Sequence, residues 1–368
     1  MHADIHDDDH NPPAPAPLNA AQVRAFWQQF SAQLVALQAL PGVEFVEQAN
    51  ALLQQQAAAL SVELEGLPGE PGARLVFTAH GDVEQFENVQ ALVRQAPPDL
   101  PYAVQAFRSR TLGGNFAMRM QDFELSCADV RVAHYDAGGI TGLTLSFAKD
   151  IPDDMQEHAR HMAFILLDHV LGEWDFSVRV GPVEFAEGES QAESAGLPLP
   201  SFPVLFDAFQ RQVLGRSYAF PSEEEDRWMS LEVRVRDAGP DDAPDLLTFH
   251  DSANALATRA DLSHLLEWTL PFSSQAELDG ARDAQDALEA ELLRLQRGVT
   301  AFTRIEGMTT RTAVFYVDDP DHALKLAGRL GAEHAPQQAC QLQLRFDPSW
   351  REYLGLYAAI HRSDEAAT

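Results

Sequence analysis

Between Ser274 and Gly331 a helix, a hairpin and a second helix each carry their own boundary signals, and no other stretch constrains the fold as tightly. Ser274 with Glu277 three residues on forms a capping box, in which each side chain satisfies a backbone donor left free at a helix start. Ala281, Ala284, Leu288, Leu292 and Leu295 then recur at the helical period, and Gly298 falls where a left-handed residue would close the helix. Val299 to Ile305 and Thr309 to Val317 are rich in β-branched and aromatic residues and flank Glu306 and Gly307, which predicts a hairpin. Its Val314 and Phe315 are expected to receive Leu288, Leu292 and Leu295. Asp319 and Pro320 open the next helix, with the stripe Ala323, Leu326, Ala327 and Leu330 and a stop at Gly331.

After this stretch a last strand alternates Leu342, Leu344 and Phe346 inward against Gln341, Gln343 and Arg345. Asp347 and Pro348 then start a terminal helix carrying Trp350, Tyr353, Leu354 and Tyr357. The order α, β, β, α, β, α implies an antiparallel sheet with helices on one face.

The first half shows a related local order. Helices are expected over 18–40 and 43–60, split by Pro41 and Gly42, then strands over 61–65 and 74–80. Asp82 caps a helix whose buried face is Val83, Phe86, Val89, Leu92 and Val93, and a strand follows at 102–108. Strands at 123–125, 130–135 and 140–147 would extend the same sheet. A long helix over 152–171 and a strand pair at 176–180 and 183–185 complete the half. A helix at 205–214 and strands at 231–235, 246–250 and 264–270 lead into the second. A chain of 368 residues is too long for one ordinary core. The expected organisation is a disordered acidic, proline-rich tail (1–18), an N-terminal domain (19–186), a linker with a short helix and an acidic run (187–227), and a C-terminal domain (228–368). The fold class is α+β, two domains of largely antiparallel sheet with helices packed on one face and ferredoxin-like β-α-β elements.

Charge narrows the partners. With 26 basic against 56 acidic residues the formal net charge is −30, which sets a negative potential against nucleic-acid phosphates and anionic membranes and leaves a basic protein open as a partner, beside the plainer reading of the acidity as a means to solubility. The densest acidic segments are Glu187 to Glu193 and Glu223 to Asp226. Cys127 and Cys340 make no disulfide framework and no thiolate metal site, which fits a reducing cytoplasm. The N-terminus reads as neither an export signal nor an anchor, and no segment approaches the roughly 18 apolar residues of a membrane helix.

Few residues suggest chemistry. His80 and Asp82 sit at the end of a buried strand, where a sheet delivers side chains to a ligand, yet capping preference assigns Asp82 to the helix start. His158 and His161 are three apart on one helix, near Asp154 and Asp168, and resemble half of a metal site on what amphipathicity makes a solvated face. His2, His6 and His10 stand among aspartates in the tail, where closing on an ion would cost chain entropy. Gly113 and Gly114 are too isolated to cradle a phosphate, and no nucleophile elbow or activated cysteine occurs.

Three resemblances accompany these residues. LVFTAHGDVEQF, which contains His80 and Asp82, is similar over a dozen residues to the strand and turn of zinc exopeptidases related to aminoacylase, whose histidine and aspartate bind metal. The paired glutamates and later ligands of that family are not found. From Trp228 to Tyr357 the strand LLEWTLPF, the helix ALEAELLRL, the hairpin TAFTRIEGMTTRTAVFYV and the closing DPSWREYL resemble the domain of unknown function 695 family. The N-terminal half resembles a set of uncharacterised bacterial proteins through LVFTAHGD, AFRSR and LDHVLGEWD. The 695 resemblance implies an intracellular binding or regulatory role, and neither of the last two resemblances carries over a catalytic residue. The expectation is therefore a non-enzymatic, cofactor-free, cytoplasmic bacterial binding module. The alternatives are a metal-dependent hydrolase using His80 and Asp82, and an immunity-type inhibitor of a basic toxin or nuclease.

Overall fold

The chain leaves its first unit at residue 111 and returns to it at 171. In the computed structural model one unit comprises 1–111 with 171–177, and the other 112–170 with 178–368. The division thus falls at 111, 170 and 177 rather than near 186 and 228. The structure describes residues 17–111, 116–120, 123–186, 196–222, 224–234 and 244–365. The tail up to residue 16, Gly113, Gly114, the acidic segment 187–195 and Glu223 lie outside the described residues. The protein belongs to the α+β class.

In the first unit α1 (Ala20–Gln38) starts at Asn19, whose side chain accepts from the amides of Ala21 and Gln22 while Gln22 reaches back in a capping box. Its buried stripe of Val23, Phe26, Trp27 and Phe30 lies one helical turn apart. Phe26 and Trp27 meet Phe77 edge-on, with ring centroids 5.7 and 5.5 Å away. The Trp27 indole keeps a partner in the dry core by donating to the Leu92 carbonyl at 3.0 Å. After α2 (Gly42–Gln54), β1 (Ser61–Glu65) pairs antiparallel with β2 (Arg74–Thr78). Through α3 (Phe86–Arg94) the chain crosses to β3 (Ala103–Ala106), which runs parallel to β2. The sheet stops at three strands, β1-β2-β3, instead of extending through residue 147.

The second unit takes those further strands into sheets of its own. One is the pair β4 (Ala117–Met120) and β5 (Phe123–Ser126). Another has the order β8-β7-β6-β9, built from β6 (Val130–Asp136), β7 (Thr141–Phe147), β8 (Val180–Phe185) and β9 (Leu197–Pro198). Residues 176–179, expected as strand, are helical: after α4 (Gln156–Leu171), Gly172 turns the chain at φ +81 and α5 (Glu173–Arg179) starts with Glu173 and Asp175 in its first turn, where acids suit the helix dipole.

The largest sheet is antiparallel throughout, in the order β10-β11-β13-β14-β12-β15. Its strands are β10 (Trp228–Val233), β11 (Asp245–His250), β12 (His264–Pro271), β13 (Gly298–Glu306), β14 (Thr310–Val317) and β15 (Gln341–Phe346). The helices Gln275–Leu295 and Pro320–His334 connect β12 to β13 and β14 to β15, which is the ferredoxin-like split β-α-β arrangement. These helices bury Leu288, Leu292 and Leu330 with Trp268 and Phe315 on one face. The opposite face places Val314, Tyr316 and Phe249 against Trp350 and Tyr353 of the segment entering the terminal helix Arg351–Glu365. Helices therefore cover both faces rather than one. The reason lies in β14, where every residue from Ala313 to Val317 is apolar, so both sides of the pleat must be buried. Val314 accordingly points away from Leu292, and Leu295 is only half-buried.

Glycines mark close approach here. The left-handed residue ending helix Gln275–Leu295 is Gln296, at φ +54, not Gly298. Gly298 instead opens β13, where a Cβ would come within 2.9 Å of the Tyr316 carbonyl oxygen. Gly331 lies inside its helix because a Cβ would sit 3.3 Å from Trp268 Cζ2. The β13–β14 turn spans residues 307–309 between the paired Glu306 and Thr310, with Gly307 and Met308 at positive φ.

Candidate functional sites

Residues 78–82, the end of β2 and the turn after it, carry the first candidate site. His80 takes the left-handed conformation at φ +53, unusual for a side chain of its size. What holds it is Glu173, fully buried at the start of α5. Glu173 Oε1 accepts from the Thr78 hydroxyl at 2.8 Å and from the amides of Ala79 and Gly81 at 3.0 Å each, and Oε2 accepts from the Arg108 amide at 3.2 Å. One carboxylate thus ties β2, the turn and the chain beyond β3 together. Arg110 adds an ion pair to Asp175 on the same helix.

This geometry fixes what His80 and Asp82 do. The Arg108 guanidinium, 3.4 Å from His80 Nδ1, can only donate, so Nδ1 accepts and the ring proton is on Nε2, facing Ser61 Oγ at 3.0 Å. Activating a serine requires the reverse, an imidazole nitrogen free to take the hydroxyl proton and an acid behind the ring. Asp82 caps the turn Val83–Gln85 by accepting from the Glu84 amide at 3.1 Å, the role its position before the helix predicts.

His158 and His161 sit on α4 in the other unit. His161 is exposed, but His158 is half-buried and its Nδ1 has no partner among the described residues, so the pair does not share one solvated face. Among the described residues no three His, Cys, Asp or Glu side chains are grouped to hold a metal ion, whereas a protein zinc site takes at least three ligands. Burial pushes the Cys127 and Cys340 thiols up, away from the thiolate state a nucleophile needs.

A second candidate lies in the second unit, a cleft of about 620 Å³ between the end of β11, residues 215–221 with Glu225 and Arg227, and the terminal helix. Asp251 accepts from Arg227 Nε at 3.1 Å and lies 3.0 Å from His361 Nε2. The Tyr353 hydroxyl staples the helix to the backbone carbonyls of His250 and Asp251 at 3.0 Å. Behind the cleft His250 is buried flat against Trp228, with ring centroids 4.1 Å apart. Both its nitrogens face acceptors, Nδ1 the Thr300 carbonyl at 2.7 Å and Nε2 Asp226 Oδ1 at 2.6 Å, the pattern of a doubly protonated ring.

Desolvation raises the Asp226 carboxyl, but the Trp228 indole, the charge on His250 and the Ser252 hydroxyl outweigh it and hold the carboxyl below its ordinary value. Burial pushes the neighbouring Glu289 carboxyl up despite its bond from the Thr300 hydroxyl at 2.9 Å. Ser252 donates to Asp226 at 3.0 Å rather than to the imidazole, so serine, histidine and aspartate meet here in an order that does not activate the hydroxyl.

Arg216 is wholly buried beside this cluster, held by the carbonyls of Leu214, Asn254 and Gly139 and by the Asn254 side chain, and burial lowers its pKa. Sequence reasoning missed Glu173, Asp226, His250 and Arg216. Their signal is long-range, since Glu173 reaches Thr78 and Asp226 reaches His250 only across the fold. The chain has no counterpart in the comparisons made: no family model matches it, and neither a curated protein nor a solved structure does.

Proposed function

We propose that the protein is a cytoplasmic module that acts by binding a basic protein partner. The observation behind this reading is how the basic residues are spent. Among the described residues at least twelve lysines and arginines stand in ion pairs with carboxylates, Arg74, Arg108, Arg297 and Arg304 among them, and Arg216 is buried. With 56 acidic residues against 26 basic ones, the carboxylates outnumber the cations that could offset them. Both candidate sites support the same reading, because their His, Asp and Ser side chains are held by internal partners in a sense that suits fixed dipoles and not proton transfer. No helix is long and apolar enough to cross a membrane among the described residues. Nucleic acid would meet repulsion from its phosphates.

The test is kinetic. A partner captured from the host should associate more slowly as salt rises, with dissociation little changed, because screening beyond the Debye length of roughly 8 Å acts on encounter. An association rate that is the same at low and high salt would refute the reading.

A further inference from the structure

β1 is an edge strand whose outer side is half closed and half open. Val62 donates its N–H to Asn50 Oδ1 and accepts from Asn50 Nδ2, both at 2.8 Å, so the amide of this α2 side chain stands where a neighbouring strand's peptide group would stand. Alternation along an antiparallel ladder then turns the backbone groups of Leu64 outward as well. At Leu64 no side chain fills that place among the described residues. There α2 draws away from the strand and leaves a groove of about 400 Å³ lined by Gly42, Val43, Val46, Glu47, Leu64 and Gly66. Val43 is 73% exposed at its mouth.

On the α2 side of the groove the charge has one sign. Between Arg24 and Arg74 the sequence contains no lysine or arginine but five glutamates, Glu44, Glu47, Glu63, Glu65 and Glu70. Glu44 and Glu47 are exposed on α2 beside the groove, whereas on β1 Glu65 pairs with Arg74 and Glu63 with Arg108, so the α2 pair supplies the rim's open charge. An exposed strand edge, an apolar slot and an acidic rim are the three parts of strand-addition recognition of a cationic peptide.

We propose that a short extended segment of a basic protein docks here as an added strand at Leu64, setting one apolar side chain between Val43 and Val46 and its lysines or arginines against Glu44 and Glu47. Asn50 blocks the ladder at Val62, which limits the added strand to roughly three residues, about 10 Å. The inference rests on the basic-partner reading above and assigns it a surface.

The test uses the full chain and an acetylated, amidated peptide, Arg-Val-Arg-Val-Arg, with Glu-Val-Glu-Val-Glu as its control. Amide hydrogen exchange should slow at Leu64 when the basic peptide is added, and the acidic peptide should leave it unchanged. Leu64→Pro removes the outward N–H without breaking a bond to β2, a change an edge strand tolerates, and should weaken binding about two- to tenfold relative to Leu64→Ala, which keeps that donor. The exposed double substitution Glu44→Lys with Glu47→Lys should weaken binding further and flatten its salt dependence. If the basic peptide binds with salt sensitivity yet all these variants bind it equally, the surface is wrong while the basic-partner reading stands. If acidic and basic peptides bind alike, or neither binds, the inference falls.

Discussion

Removing the Glu173 carboxylate should uncouple β2 from the turn that follows it. The side chain is fully buried and takes four donors, the Thr78 hydroxyl and the amides of Ala79, Gly81 and Arg108. In Glu173→Ala each donor loses its acceptor and a cavity opens, and because such losses are not additive the expected cost is about 3–5 kcal/mol. Glu173→Gln keeps one carbonyl oxygen for Thr78, Ala79 and Gly81 but turns an NH2 towards the Arg108 amide. One buried donor is left unmet and three bonds lose their charge, for about 1–3 kcal/mol. Urea unfolding followed by tryptophan fluorescence, to which Trp174, 5.2 Å from the Phe107 ring, contributes with Trp27 from this unit, reads the change in midpoint. Equal losses for Ala and Gln would show that charge alone matters. A loss below about 1 kcal/mol for Ala would show that the turn is held by something else.

Other substitutions test the second unit. Leu292→Ala, in the face that contains Phe315 and Trp268, should cost about 2–5 kcal/mol by thermal or urea unfolding, and a loss under about 0.5 kcal/mol would make that helix peripheral. The folded Asp226 carboxyl titrates below the unfolded aspartate value of about 3.9, so its stabilisation is complete above that pH and drains away as pH falls through the folded value. Asp226→Asn should therefore lower stability at neutral pH and flatten this part of the acid limb of a stability–pH curve; an unchanged acid limb would contradict the pairing with His250.

The ferredoxin-like half is legible in the sequence because its signals are local. Asp319 caps its helix by accepting from the His322 amide at 3.0 Å, and Ser274 accepts from the Glu277 amide at 3.3 Å, both as their positions predict. Glu277 completes its box one residue early, at the Ser273 amide and hydroxyl. What the local signals misassign are glycines serving packing and strands serving two faces. Gly298 and Gly331 look like helix stops, but their constraint comes from Tyr316 and Trp268 across the sheet. Leu344 alternates as an inward residue yet is 37% exposed, because β15 is an edge. At the candidate sites Asp82 was readable as a cap. The acid that governs its turn was not, since 91 positions separate Glu173 from Asp82 (173 − 82) and no periodicity links them.

The discontinuity of the first unit has a consequence during synthesis. A ribosome that has released residue 111 has supplied α1, α2 and all three strands, but not the carboxylate that fixes the β2 turn. Another 62 residues (173 − 111) must follow, roughly 3–12 s at 5–20 residues per second. Through that interval the nascent sheet has its aromatic core and an unsatisfied turn, with the β1 edge already formed. Until Glu173 emerges the amides of Ala79 and Gly81 lack their acceptor, so the left-handed His80 turn is fixed only when that residue arrives.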